Sequence, residues 1–211
     1  MKKIKPPRLG VAIIVSGPSG AGKSTVTEQL RTQQSELEFS VSCTTRKPRC
    51  GETDGENYFF ISEQEFRDRI SAGDFLEYAE VHGNLYGTLL TEITDRVKYG
   101  CDVLLDIDIQ GAMQIKKYAK TNKLLQKCLE TIFIAPPSFE ELERRLRNRA
   151  TENEKSIQLR LSNAKNELTQ WTEYEYLIIN KNVDTAVADL NAFFNIMRKK
   201  TKRLQHSGFF I

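Results

Sequence analysis

Short apolar runs bounded by polar residues recur along the chain at 11–15 (VAIIV), 103–107 (VLLDI), 131–134 (TIFI) and 176–179 (YLII). Each predicts a buried strand. Helical periodicity covers 23–34, 139–148, 155–168 and 183–200. Strands alternating with helices in this way predict a parallel sheet flanked by helices. Two helix starts are marked by chemistry as well as period: Ser62 to Glu65 and Ser138 to Glu141 both fit the capping box, in which serine and glutamate satisfy each other's free backbone donors.

Between 39 and 90 the texture changes. The segments EFSVSCTTRKPR, NYFFIS, FLEYAEV and GNLYGT are short and β-rich, and Gly51, Gly55, Gly83 and Gly87 punctuate them. They predict a small mixed-β lobe inserted in the α/β scaffold. With 211 residues, 39% hydrophobic and 28% charged, the chain is long enough for one full core carrying such an insert.

Charge narrows the partners. Thirty-one basic and 28 acidic residues leave a net charge of +3, with the signs interleaved, which is no electrostatic footprint for a duplex nucleic acid. The basic stretches 2–8 and 198–203 are terminal, and they are expected to be solvated ends. Cys43, Cys50, Cys101 and Cys128 form no C-x-x-C pair, and the histidines are only His82 and His206, so neither a disulfide framework nor a cysteine–histidine metal site is expected. The apolar run 9–14 leads into a glycine loop instead of a cleavage site, and no stretch approaches the roughly 20 apolar residues that span a bilayer. A reduced, cytoplasmic protein with no membrane partner is the expectation.

The strand at 11–15 runs directly into VSGPSGAGKST. Gly17, Pro18, Ser19, Gly20, Ala21, Gly22, Lys23 and Ser24 match G-x-x-x-x-G-K-[ST] at every fixed position, with a strand before and a helix after. Small residues let the backbone wrap so that its N–H groups and the helix N-terminus converge on phosphate oxygens. Lys23 then reaches the outer phosphates, and Ser24 offers a hydroxyl to Mg²⁺. Asp106, emerging from an apolar run, is the expected carboxylate partner, facing the metal and phosphates. Asp108, two residues on, either shares that face or caps the helix that starts near Gln110.

A loop that binds ATP does not say what receives the phosphate. In the β-rich segment Arg46 and Arg49 flank Pro48, and arginine forks bind phosphate oxygens in pairs, so the two make a clamp for a monophosphate. Tyr58 and Tyr86 add phenolic donors.

These motifs, SGPSGAGKST, SVSCTTRKPRCGE, NYFF, FLEYAEVHGNLYGT, LLDIDIQGA, FIAPPS and ENEKSIQLRL, resemble in order and spacing the guanylate kinase family, from about 11 to about 190. The resemblance implies that Arg46, Arg49, Tyr58 and Tyr86 hold the phosphate of GMP. It implies that Ser42, Glu77, Thr88 and Asp108 complete the GMP site around the guanine, with Thr25 and Asn180 joining the glycine loop on the ATP side. Arg145, Arg149 and Arg160 would close over the phosphates as a lid and act as catalytic residues with Lys23, whereas Arg144 and Arg147 are expected to pair with nearby glutamates on a charged helix face. Asp106 would act on Mg²⁺ through water.

The guanine assignment agrees with the chemistry. One carboxylate such as Glu77 can accept both guanine N1–H and N2–H, and a hydroxyl can donate to O6. AMP would leave those groups unpaired, a mismatch that hydrogen-bonding sites reject by factors on the order of 10⁴. Two departures from the family pattern are Ala150, where glycine is usual, and Cys43, where serine is common; neither removes a reacting group.

The implied activity is transfer of the ATP γ-phosphoryl to GMP, and to dGMP because nothing identified reads the 2′-hydroxyl. The implied layout is a core over 9–38, 91–138 and 170–211, a GMP lobe over 39–90 and a lid over 139–169, in a monomer or weak homodimer. A phosphopeptide-binding module of the same fold is disfavoured by the intact glycine loop, and a sugar-phosphate kinase by Ser42, Glu77 and Thr88 together.

Overall fold

The computed structural model describes residues 8–81, 83–148 and 154–204. In chain order the elements are β1 (Ala12–Ser16), α1 (Lys23–Gln33), β2 (Leu37–Phe39), β3 (Cys43–Thr44), β4 (Phe59–Phe60), α2 (Glu63–Ala72), β5 (Phe75–Val81) and β6 (Asn84–Leu89). There follow α3 (Leu90–Lys98), β7 (Asp102–Asp106), α4 (Ile109–Ala119), α5 (Lys123–Cys128), β8 (Leu129–Ala135), α6 (Phe139–Arg147), α7 (Glu154–Leu168), β9 (Tyr176–Ile179) and α8 (Val183–Met197). Short 3₁₀ turns occupy Thr169–Glu173 and Thr201–Arg203.

Five strands form a wholly parallel sheet in the order β2-β7-β1-β8-β9. Its central strand is apolar on both faces because helices cover both. Val11, Ile13 and Val15 pack with Val26 and Leu30 of α1 and with Leu190 and Phe194 of α8. Ala12 and Ile14 face the other way, into a cluster with Ile93 of α3, Ile115 of α4 and Leu125 of α5. The period-two alternation along one strand therefore feeds two separate cores.

The β-rich segment forms a second sheet, β4-β3-β6-β5, in which β3 pairs β4 in parallel while β6 runs antiparallel to both β3 and β5. Helix α2 backs it, with Phe66 of α2 stacked on Phe75 of β5 at 4.3 Å between ring centroids. Ser62 caps α2 by accepting from the Glu65 N–H, and Ser138 caps α6 by accepting from the Glu141 N–H. Helices α6 and α7 form a third small cluster through Leu142, Leu146, Leu161 and Ala164.

The expected strands and helices are present, with two instructive differences at their ends. Strand β8 begins two residues before its predicted start and so takes in Glu130, fully buried. Helix α8 stops at Met197, three residues short of the predicted end. One cause lies behind both. Residues 2–7 of the first basic stretch lie outside the described residues, but Arg8, Arg198, Lys200 and Arg203 are not the solvated ends expected: Lys200 donates to the Glu130 carboxylate at 2.6 and 2.8 Å and the fully buried Arg203 at 2.6 Å. Nearby, Asp102 accepts from Arg8 at 2.7 and 2.8 Å and from Arg198 Nε at 2.6 Å. Burial works to raise the Asp102 carboxyl, but hydrogen bonds from Arg8 and Arg198 outweigh it and hold the group below its ordinary range. Two buried carboxylates need cations, and Arg8, Arg198, Lys200 and Arg203 supply them.

Candidate active site

The glycine loop links β1 to α1 at the carboxyl edge of the parallel sheet, where open α/β folds place their ligands. Gly17 has no room for a side chain: a Cβ there would lie 2.1 Å from the Ile134 carbonyl oxygen. Gly22 precedes α1 with φ of 82°, a left-handed conformation, and a Cβ there would meet Asn180 Nδ2 at 2.5 Å. Helix α1 starts with no side-chain cap, so its first N–H groups stay available to an anion.

Lys23 donates its ammonium to the Asp106 carboxylate at the end of β7. Burial pulls Lys23 down to about 8, with the Asp108 carboxylate opposing. Thr27 Oγ1 also donates to Asp106, at 3.3 Å, while Ser24 lies exposed in the first turn of α1. The exposed Asp106 and the Ser24 hydroxyl are hard oxygen donors on adjacent elements, a set that suits Mg²⁺ held chiefly by substrate phosphates and water. Among the described residues no group of three or more His, Cys, Asp or Glu is placed to cage a metal alone. Asp108 does act as a cap, accepting from the Gly111 N–H at 2.8 Å, and it also lines the cleft described next.

That cleft, about 280 Å³, lies between the two sheets, with Asp106, Ile107 and Asp108 on one wall and Ser42, Tyr58, Glu77 and Tyr86 on the other. Within it the Thr88 hydroxyl donates to Glu77 Oε1 at 2.7 Å. A hydroxyl has one proton, so the 3.1 Å contact between Ser42 and Thr88 has Ser42 as donor. The second Glu77 oxygen is free of that chain, and it fits because residue 111 is glycine, where a Cβ would come within 2.8 Å of it. Burial pushes the Glu77 carboxyl up, against the Thr88 hydrogen bond.

Arg46 adjoins the cleft through Tyr58, its guanidinium 5.4 Å from the Tyr58 ring centre, and Tyr58 meets Tyr86 edge-on at 5.9 Å. Arg49 lies on the exposed loop two residues before Gly51. Arg46 is held by Glu52, the last residue of the SVSCTTRKPRCGE stretch, to which no role had been given.

On the other side of the glycine loop, Arg145 of α6 donates to the Ala21 carbonyl at 3.3 Å and the Asn180 carbonyl at 2.9 Å while pairing with Glu141 at 2.8 Å. Asn180 is buried; its Nδ2 donates to the Ala21 carbonyl and its Oδ1 has no partner. Arg160 of α7 reaches Ser19 Oγ at 3.5 Å. Arg144 pairs with Glu141, and Arg147 with Glu143 and Glu154, at the protein surface. Arg149, Ala150 and Thr151 lie outside the described residues. A carboxylate missed in the sequence, Glu167 at the end of α7, accepts the Ser19 N–H at 3.4 Å, and burial raises it.

A family model for guanylate kinase matches residues 10–197. The chain belongs to the guanylate kinase family. Among members of this family, the guanylate kinase of Fusobacterium nucleatum is 48% identical over 86% of this chain and 94% of its own. That of Clostridioides difficile is 42% identical over 93% of both chains. The family's fold is matched as well, by a crystal structure of guanylate kinase from Anaplasma phagocytophilum with a TM-score of 0.73 and 32% identity, covering 94% of this chain and 91% of that one. Among the described residues, no helix is long and apolar enough to cross a membrane.

Proposed function

We propose that the protein is a guanylate kinase that transfers the γ-phosphoryl group of ATP to GMP, giving ADP and GDP, and that it uses dGMP as a second acceptor. The observation that carries this reading is the hydrogen-bonded chain Ser42–Thr88–Glu77, with Thr88 and Glu77 buried, facing Asp106 and Asp108 across one cleft, with Lys23 paired to Asp106. Glu77 offers its carboxylate to guanine N1–H and N2–H. Ser42 and Thr88 supply hydroxyls beside it, and adenine would leave these groups unpaired.

Arg46, Arg49, Tyr58 and Tyr86 take the GMP phosphate, with Asp108 completing the site. Gly17, Pro18, Ser19, Gly20, Ala21, Gly22, Lys23, Ser24 and Thr25 wrap the ATP phosphates, and Asn180 adjoins the base. Lys23, Arg145, Arg149 and Arg160 neutralise charge on the transferring group, which needs positioned cations more than covalent help. Ser24, and Asp106 through water, would hold the Mg²⁺ of MgATP, which would supply charge neutralisation at the phosphates. No general base is required because a phosphate oxygen is already nucleophilic.

Residues 39–90 act as the GMP lobe and 139–169 as the lid on a core of 9–38, 91–138 and 170–211; closure of both excludes water that would otherwise hydrolyse ATP. The protein works in the cytoplasm as a monomer or weak homodimer, without a nucleic-acid or membrane partner.

The test is ADP release from MgATP with GMP, dGMP, AMP, UMP or no acceptor, on wild type and Lys23→Ala. GMP alone among the ribonucleotides should drive release, and Lys23→Ala should lose it. Binding of GMP without any stimulated turnover would overturn the reading.

A further inference from the structure

The loop that carries Arg46 and Arg49 is organised around one carboxylate. Glu52 accepts from Arg46 Nη1 at 2.9 Å and Nη2 at 2.8 Å, a two-point pair, and from the Arg49 backbone N–H at 2.7 Å. The Glu52 N–H in turn donates to the Arg49 carbonyl at 3.1 Å, closing a turn whose reversal uses Gly51 at φ of 85°. Arg46 Nη1 also donates to the Lys47 carbonyl at 2.7 Å. Its guanidinium carbon lies 5.4 and 5.8 Å from the ring centres of Tyr58 and Phe60.

These contacts consume one edge of the guanidinium. Both Nη1 hydrogens and one on Nη2 are engaged there, and a further side-chain hydrogen bond runs from Arg46 to the phenol of Tyr86, which lines the cleft, so the edge of the guanidinium not taken by Glu52 lies on the cleft side. Arg46 and Glu52 are half-buried, at 13% and 19% side-chain exposure, and the two-point geometry holds the guanidinium in one orientation. The Glu52 hydrogen bond holds Arg46 firmly protonated, and Arg46 in turn depresses the Glu52 carboxyl.

We infer that Glu52 is a positioning residue for GMP: it fixes Arg46 beside the Tyr86 phenol at the cleft, and it shapes the turn that presents Arg49. The inference rests on the cleft being the GMP site. It makes a prediction opposite in sign to simple electrostatics. Removing a negative charge beside an anion site should tighten binding if charge alone mattered, whereas loss of the anchor lets Arg46 wander and weakens binding through lost preorganisation.

The experiment is steady-state kinetics on Glu52→Gln, with guanosine as a competitive inhibitor lacking the phosphate. The expected result is a KM for GMP at least ~10-fold higher, with KM for ATP, kcat at saturating GMP and guanosine inhibition all within ~2-fold of wild type, the pattern of lost binding and not lost chemistry. In an Arg46→Ala background, Glu52→Gln should cost less than it does in wild type, because the part of its effect that passes through Arg46 is already lost. An unchanged or lowered KM for GMP overturns the inference, as does an equal loss of guanosine binding, which would mark a collapsed lobe. Glu52→Asp, which keeps the charge and shortens the reach, supplies the same comparison if the glutamine variant folds poorly. Absence of GMP-dependent turnover in the wild-type enzyme would instead overturn the functional reading.

Discussion

Thr88 spends its only proton on Glu77, 2.7 Å away, and both residues are buried on neighbouring strands of the inserted sheet. A carboxylate kept from water with one hydroxyl partner is under-satisfied, and burial pushes its titration upward. In the present reading the missing donors arrive with guanine. The site thus carries a charge that costs folding free energy until the acceptor binds.

Glu77→Gln separates the two effects. Because the folded-state pKa is raised, the folded protein binds more protons than the unfolded one, so the Glu77 contribution favours folding at low pH and is lost as pH rises through the folded value. At pH 7 and above the glutamine variant should therefore melt no lower than wild type. Its kcat/KM for GMP should fall by about 10²-fold or more, since a neutral amide cannot accept both guanine donors, while ATP binding stays intact. Calorimetry and acceptor kinetics on one preparation check both halves; a clear drop in Tm at pH 7 would contradict the burial argument.

Lys23 offers a pH signature. Burial places its pKa near 8 in the free protein, and triphosphate bound against it should raise that value. Binding of MgATP at pH 8.5 should then take up protons, visible as a dependence of the calorimetric enthalpy on buffer ionisation, and apparent affinity should decline as pH climbs through 8 to 9. Lys23→Ala should abolish the proton uptake. Zero uptake in the wild type would mean that contact with Asp106 keeps the ammonium charged throughout.

The two adjacent arginines of α6 should behave differently. Among the described residues Arg144 pairs with Glu141, and exposed pairs of that kind contribute little, so Arg144→Ala should leave kcat and Tm close to wild type. Arg145 ties α6 to the carbonyls of Ala21 and Asn180 across the glycine loop. Arg145→Ala should lower kcat by on the order of 10²-fold, the scale seen when one positioned donor to transition-state charge is removed. Equal effects from both substitutions would show that proximity to the glycine loop is not what matters.

How much of this could be read in advance follows the range of the interactions. The glycine loop, the capping serines and the apolar strands are local features, in which residue type and spacing carry the physics, and they were legible. Thr88 with Glu77 was legible only through resemblance, since an alternating strand with one glutamate reads equally well as a solvated edge. Glu52, with partners six and three positions before it, was within reach of sequence reasoning but was given no role, whereas Glu167 and Glu130 were not legible at all: each draws its meaning from partners placed by the fold, Ser19 lying 148 positions before Glu167 and Arg203 lying 73 after Glu130. A lone glutamate shows nothing of its partner until the topology supplies it.

Glu130 yields the last prediction, because it separates stability from function. Its carboxylate is fully buried in β8 and takes hydrogen bonds from Lys200 and Arg203, close to where Leu129 pairs with Ala12 at the start of β1, on the sheet edge opposite the glycine loop. Glu130→Ala removes one partner and leaves the Arg203 guanidinium uncompensated in the interior, the case in which breaking a buried ion pair costs about 3–5 kcal/mol. For a chain of this size that corresponds to a fall in Tm of roughly 6–20 °C. Since the network touches neither the cleft nor α6 and α7, KM for GMP and ATP measured well below the melting range should be unchanged. A large shift in either KM with little loss of Tm would mean that the far edge of the sheet communicates with the site, and that Arg8, Arg198, Lys200 and Arg203 do more than neutralise two buried carboxylates.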